Sequence, residues 1–169
     1  SGSEDSDAPT WRIPASNMKL KSDLKYDDTF DHLVPLAPEA VAALKATRRL
    51  TGRGPLVFPS NRNGRIPMSE NTLNYFYNRC GYQGRHVPHG WRASFSTIMN
   101  EWAERNGTPG DRHVIDLMLA HVPEGISGSE GAYNRAAFLV RRREIAQEWA
   151  RLLFNCFVEP HKLLGYPSR

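Results

Sequence analysis

Cysteine is scarce in this chain: Cys80 and Cys156 are the two among 169 residues. Two thiols so far apart in sequence make no disulfide framework and fit no zinc-ligand spacing, so they read as small packing residues. No apolar run approaches the ~20 residues that cross a bilayer, and no secretory leader opens the chain. The cytoplasm is the expected compartment and no membrane partner is expected. Glycine-rich loops occur, but none has the spacing of a P-loop or of a dinucleotide fingerprint. Internal repeats and low-complexity tracts are also missing.

What is present suits one soluble domain. A chain of 169 residues that is 40% hydrophobic and 24% charged is long enough to bury a core. Its formal net charge is +4, yet Glu4, Asp5 and Asp7 stand in a first stretch of ten residues that holds no cation. Setting that stretch aside leaves 22 cationic against 15 anionic side chains, a net of +7. A basic body behind an acidic leader fits a polyanionic partner, although a solvated basic surface is as common.

Taken in order, residues 1–10 form a polar leader without apolar periodicity, expected to be disordered. Trp11-Arg12-Ile13-Pro14 is strand-like. Met18-Lys19-Leu20-Lys21 and His32-Leu33-Val34-Pro35-Leu36 are expected to be two arms of a hairpin, joined by an exposed polar loop from Asp23 to Asp31. Pro38 opens a helix that Gly52 stops, with Val41, Leu44 and Leu50 facing inward. Ser69 caps a helix carrying Leu73, Phe76 and Tyr77, ended near Gly81. From His89 a helix runs to about Asn106, with Phe95, Ile98, Met99 and Trp102 at helical spacing. Thr108-Pro109 introduces another, with Val114, Leu117 and Met118 inward and His121 at its end. A last long helix holds Leu139, Ile145, Trp149, Leu152 and Leu153, with Arg141, Arg142 and Arg143 on its outer face. The fold class expected is α+β, mainly helical, with a small antiparallel sheet near the N-terminus.

The residues with chemistry to offer lie mainly between His89 and Tyr133. His89 and Arg92 are one helical turn apart, so imidazole and guanidinium share a face near a helix start, where backbone N–H groups also favour an anion. By itself an H-x-x-R deserves roughly a one-in-twenty prior as a site. His121 suits a phosphate oxygen, or is simply a histidine favoured by a helix C-terminus. Tyr133 suits a nucleophile, or is an amphipathic tyrosine with its hydroxyl in water. Lys19 and Lys21 suit a groove lined with phosphates, or are exposed strand-edge lysines. Arg141, Arg142 and Arg143 read first as a solvated face and second as phosphate-backbone contacts. His86, His89, Cys80, His113 and His121 fit no standard metal spacing.

As an ordered set these residues resemble the catalytic domain of tyrosine recombinases, specifically of prophage integrases. The likeness runs from about Trp11 to Phe154. Trp11-Arg12-Ile13-Pro14 with Met18-Lys19 is similar to the strand leading to the family's hairpin lysine, and His32 to Leu36 to the strand returning from it. His89-Gly90-Trp91-Arg92-Ala93-Ser94-Phe95-Ser96-Thr97 is similar to the histidine/second-arginine box, Leu117-Met118-Leu119-Ala120-His121 to the third box, and Ala132-Tyr133-Asn134-Arg135-Ala136 to the nucleophile segment. The resemblance implies Tyr133 as nucleophile, Arg92 and His121 as phosphate ligands, His89 as proton-transfer aid and Lys19 as general acid, with Lys21 as the alternative. It implies DNA contacts by Lys21, Arg135 and Arg141. It further implies no metal or cofactor, double-stranded attachment-site DNA as partner, and a tetramer on that DNA in a bacterial cytoplasm. Residues 11–154 would be the catalytic domain and 155–169 a tail exchanged between subunits.

This sequence departs from the family pattern at three places. The gap from His121 to Tyr133 and the connection from Lys19 to His32 are both longer than usual for the family. The family's first catalytic arginine stands on a helix well upstream of the lysine, and nothing before Lys19 supplies it; Arg12 lies too close and on a strand. The expectation is thus a truncated, impaired recombinase. A non-catalytic DNA-binding or subunit-interaction module is the alternative, and a type IB topoisomerase is a third reading.

Overall fold

The computed structural model describes residues 9–121 and 138–164. The chain is mainly helical, with one two-stranded antiparallel sheet near its N-terminus. Strand β1 (Thr10–Ile13) pairs with β2 (His32–Pro35), setting Trp11 opposite Val34 and Arg12 opposite Leu33. Aromatic and β-branched side chains favour this pleated pairing, and Pro14 and Pro35 bound it.

The hairpin arms differ from the sequence expectation. The first arm is Thr10–Ile13, and Met18 to Lys21 lies in the connection, between short 3-10 turns at Ala15–Asn17 and Ser22–Tyr26. Met-Lys-Leu-Lys alternates like a strand, but Ser16-Asn17 before it and Ser22-Asp23 after it are turn formers, and they win. The connection is anchored from below. Phe30 and Asp31 are buried. Asp31 accepts from the Ala15 amide at 2.8 Å and from Arg12 Nε. That amide and the Arg12 guanidinium outweigh desolvation and hold the Asp31 carboxyl below its ordinary range.

Helix α1 (Pro38–Thr51) starts on a proline whose missing N–H costs nothing there. Ala46 is its buried residue, whereas Leu44 and Leu50 are exposed, contrary to the inward placement expected of them. Helix α2 (Thr72–Tyr77) runs into a wide turn over residues 78–82, where Gly81 takes a φ of 84°. Leu73 and Phe76 on α2 are exposed.

Helices α3 (Gly90–Arg105), α4 (Asp111–Met118) and α5 (Leu139–Phe154) make the core. Met99 and Ala103 from α3, Val114 and Ile115 from α4 and Ile145 from α5 are buried against one another. Phe95, Trp102, Met118 and Trp149 pack around them, with Phe95 and Trp149 edge to face at 5.4 Å. Burying each of the large apolar side chains contributes about 1.5–3 kcal/mol. Ile98, expected inward, is exposed. A four-residue helix α6 (Pro160–Leu163) folds back against α1. Among the described residues no helix is long and apolar enough to cross a membrane.

The arginine face expected on the last helix is corrected at each of its three residues. Arg142 is buried, 1% exposed, and its Nη2 donates to the Leu33 carbonyl of β2. Arg141 is half-buried, holding Asp111 through Nε at 2.8 Å and Nη2 at 2.5 Å, and also pairs with Glu144. Arg143 is half-buried rather than free in solvent.

Candidate active site

His89 and Arg92 stand at the start of α3 and His121 at the end of α4, and one bond from Arg92 to Leu119 joins the two ends. His89 is the exposed N-cap residue of α3 and makes no side-chain cap bond. Arg92 stands one turn further along. Its Nη2 donates to the Leu119 carbonyl at 2.5 Å, and among the described residues the other guanidinium N–H groups make no bond. His121 follows two residues after Leu119, at the end of α4.

The end of α4 is a Schellman cap. His121 N–H reaches the Asp116 carbonyl at 3.1 Å and Ala120 N–H the Leu117 carbonyl at 3.0 Å. The left-handed residue such a cap needs is Ala120, at φ 55°. Helix α3 ends with the same pair of bonds, Thr108 N–H to Ala103 and Gly107 N–H to Glu104, but there Gly107 takes the left-handed position at φ 71°. Alanine in that conformation costs on the order of 1–2 kcal/mol. The strain sits directly before His121, where the surrounding cap over-determines it. His121 Nδ1 lies 3.5 Å from Asp116 Oδ1, both side chains being largely exposed. That contact contributes little energy.

The start of α3 is fixed by a cluster of rings. His86 packs edge-on to Tyr77 at 5.5 Å and to Trp91 at 5.2 Å, and Trp91 Nε1 donates to the Tyr77 hydroxyl at 2.8 Å. The imidazole lies over Gly90: a Cβ there would come within 3.0 Å of His86 Cε1 and 3.2 Å of Nδ1. Glycine between His89 and Trp91 thus permits the close approach that sets the helix start.

Lys19 and Lys21 are exposed in the β1–β2 connection, and among the described residues neither hydrogen-bonds to His89, Arg92 or His121. Arg141 is engaged by Asp111 and Glu144. Tyr133 and Arg135 lie outside the described residues. Arg12, the sole arginine before Lys19, is committed to Asp31, with Asp28 at 3.9 Å. Sequence reasoning did not single out Asp116, weighed His86 only as a metal ligand, and read Arg142 as part of a solvated face. The i, i+4 spacing of His86 and Gly90 carries no signal by itself, and Asp116 becomes a neighbour of His121 only because the cap folds back. Among the described residues no group of three or more His, Cys, Asp and Glu side chains is disposed to hold a metal.

Comparison with known proteins gives the class: over most of its length the chain is homologous to phage and prophage integrases. Prophage integrase IntA of Escherichia coli (strain K12) is 38% identical over 149 residues, which is 88% of this chain and 32% of IntA. Prophage integrase IntZ of the same strain is 34% identical over 141 residues, 83% of this chain and 31% of IntZ. The integrase of Enterobacteria phage P4 is 29% identical over 163 residues, 88% of this chain and 34% of that protein. The chain therefore spans about a third of the length of the curated relatives it matches. No protein-family model and no solved structure matches it.

Proposed function

We propose that the chain is the strand-cleaving part of a site-specific DNA recombinase, which integrates and excises a mobile element through a 3′-phosphotyrosyl intermediate. The observation that carries this reading is the bond from Arg92 to the Leu119 carbonyl. It holds the Arg92 guanidinium against the end of α4, two residues before His121, a placement that suits an arginine and a histidine serving one phosphate.

In this reading the Tyr133 hydroxyl attacks the scissile phosphorus and its proton passes to His89. As the P–O5′ bond breaks, the leaving oxygen takes a proton from the Lys19 ammonium. Arg92 and His121 donate to the non-bridging oxygens. The products are a 3′-phosphotyrosine and a 5′-hydroxyl, and rejoining runs the same steps in reverse. The bond energy stays in the phosphotyrosine, so the reaction proposed needs no metal or cofactor. Residues 11–154 would be the catalytic unit and Lys21 and Arg135 would touch DNA, whereas Arg141 is held by Asp111 and Glu144. Residues 155–169 would serve exchange between subunits of a tetramer. Arg12, held by Asp31, is not free to act as a second phosphate-binding arginine beside Arg92, and losing one such donor costs ~10²–10³ in rate.

The test is covalent trapping on a nicked suicide duplex carrying the attachment site, using the full-length protein with Tyr133→Phe beside it. A denaturation-resistant adduct in the parent and none in the variant is the expected result. Bound DNA without an adduct would give the lead to a non-catalytic DNA-binding module, the reading favoured by Arg12 being committed to Asp31.

A further inference from the structure

We propose that Arg142 is a positioning residue for the cleavage reaction: through the Leu33 carbonyl it fixes the β1–β2 hairpin, and so the Lys19 segment, against the helix that follows the Tyr133 segment. This rests on the reading of Tyr133 as nucleophile and Lys19 as general acid.

Arg142 is the largest of the fully buried side chains. A guanidinium costs several kcal/mol to bring out of water, and a leucine or methionine would fill the space more cheaply. Burial pulls its pKa down to about 10, which still leaves it charged at neutral pH. The buried charge does specific work at the hairpin. A two-stranded ribbon is marginally stable by itself, and β2 turns one carbonyl of its outer edge, that of Leu33, to Arg142 Nη2.

From that carbonyl the linkage continues through the fold. Leu33 pairs with Arg12 across the sheet. Arg12 holds Asp31, and Asp31 accepts from the Ala15 amide at 2.8 Å, four residues before Lys19. Helix α5 begins six residues after Tyr133 in sequence, at Leu139, and carries Arg142 in its first turn. The same guanidinium therefore ties the element after the nucleophile to the element bearing the general acid. Loss of its bond would let the Lys19 segment drift relative to the leaving oxygen, and the protonation of O5′ would suffer first.

The test uses DNA in which sulfur replaces the bridging 5′ oxygen at the scissile phosphate. A thiol has a pKa of about 8.5 and leaves as thiolate without a proton donor. The full-length protein, Arg142→Met, Arg142→Lys, Lys19→Ala and Tyr133→Phe are compared on oxygen and sulfur substrates under single-turnover conditions. Arg142→Met is expected to cleave oxygen DNA ~10-fold or more slowly, and to return to within about threefold of the parent on sulfur DNA, in parallel with Lys19→Ala. Arg142→Lys, which keeps the charge, is expected to fall between them and serves if the methionine variant does not fold. Equal slowing on both substrates, or no slowing on either, overturns the positioning role. Failure of the underlying reading looks different: Tyr133→Phe still forms an adduct, or Lys19→Ala is not rescued by sulfur.

Discussion

Arg92 and Leu119, 27 residues apart, meet where guanidinium Nη2 donates to backbone carbonyl at 2.5 Å. A carbonyl cannot titrate away and carries no competing charge. It therefore orients the arginine without neutralising it, as an acidic partner would.

Replacing Arg92 separates its charge from its geometry. Arg92→Ala should lower the rate of covalent attachment to nicked duplex by ~10²–10³. Arg92→Lys should recover little, because an ammonium lacks the rigid planar fork that lets one guanidinium span the Leu119 carbonyl and a phosphate oxygen. Single-turnover trapping measures both, and a lysine variant near parental rate would mean that charge alone matters.

Ala120 offers a stability test at the same corner. Ala120→Gly relieves the left-handed strain but adds freedom to the unfolded chain, so the net gain should be about 0.5–1 kcal/mol. A urea titration should show a higher midpoint with an unchanged slope. The equivalent change in the other direction, Gly107→Ala, should destabilise.

Acid should reveal the Arg141–Asp111 pair. The bonds from Arg141, and secondarily from Thr108, hold the Asp111 carboxyl below its ordinary value despite partial burial. A depressed folded-state pKa stabilises above the unfolded value of about 3.9, and that stabilisation disappears as pH falls through the folded value. Melting temperature followed from pH 7 to pH 2 should decline at the acid end, and Asp111→Asn should show a lower plateau with a shallower acid decline.

Core and surface leucine-type residues should separate cleanly. Ile115, wholly buried, should cost about 2–5 kcal/mol when cut to alanine. Leu50→Ala on α1, where the leucine is 69% exposed, should stay within about 0.5 kcal/mol. Chemical denaturation of the two variants decides whether α3, α4 and α5 form the core.

Most of the helical framework is legible before any coordinates. Pro38 and Gly52, then His89 and Gly107, bracket periodic apolar runs, and local chemistry sets those boundaries. His89 and Arg92 follow from helical spacing alone. Arg142 was hidden by its neighbours: three consecutive arginines read as a wet surface, although position 142 lies on the same helical face as Ile145 and Trp149. Periodicity should have outweighed charge there. Leu44 and Leu50 fail the opposite way: apolar side chains on α1 suggest an inward face, and the side of α1 that packs is decided by distant elements. The Lys19 segment misled because alternation mimics a strand wherever turn formers are ignored.

The contact between His86 and Gly90 has an evolutionary consequence. Every substitution of glycine adds a Cβ, so a side chain at position 90 requires the imidazole at position 86 to shift by a few tenths of an ångström. A smaller side chain at 86 opens that space and loses the ring contacts to Tyr77 and Trp91 in the same step. Lineages that keep the helix start should therefore vary these two positions jointly, with bulk at one trading against bulk at the other.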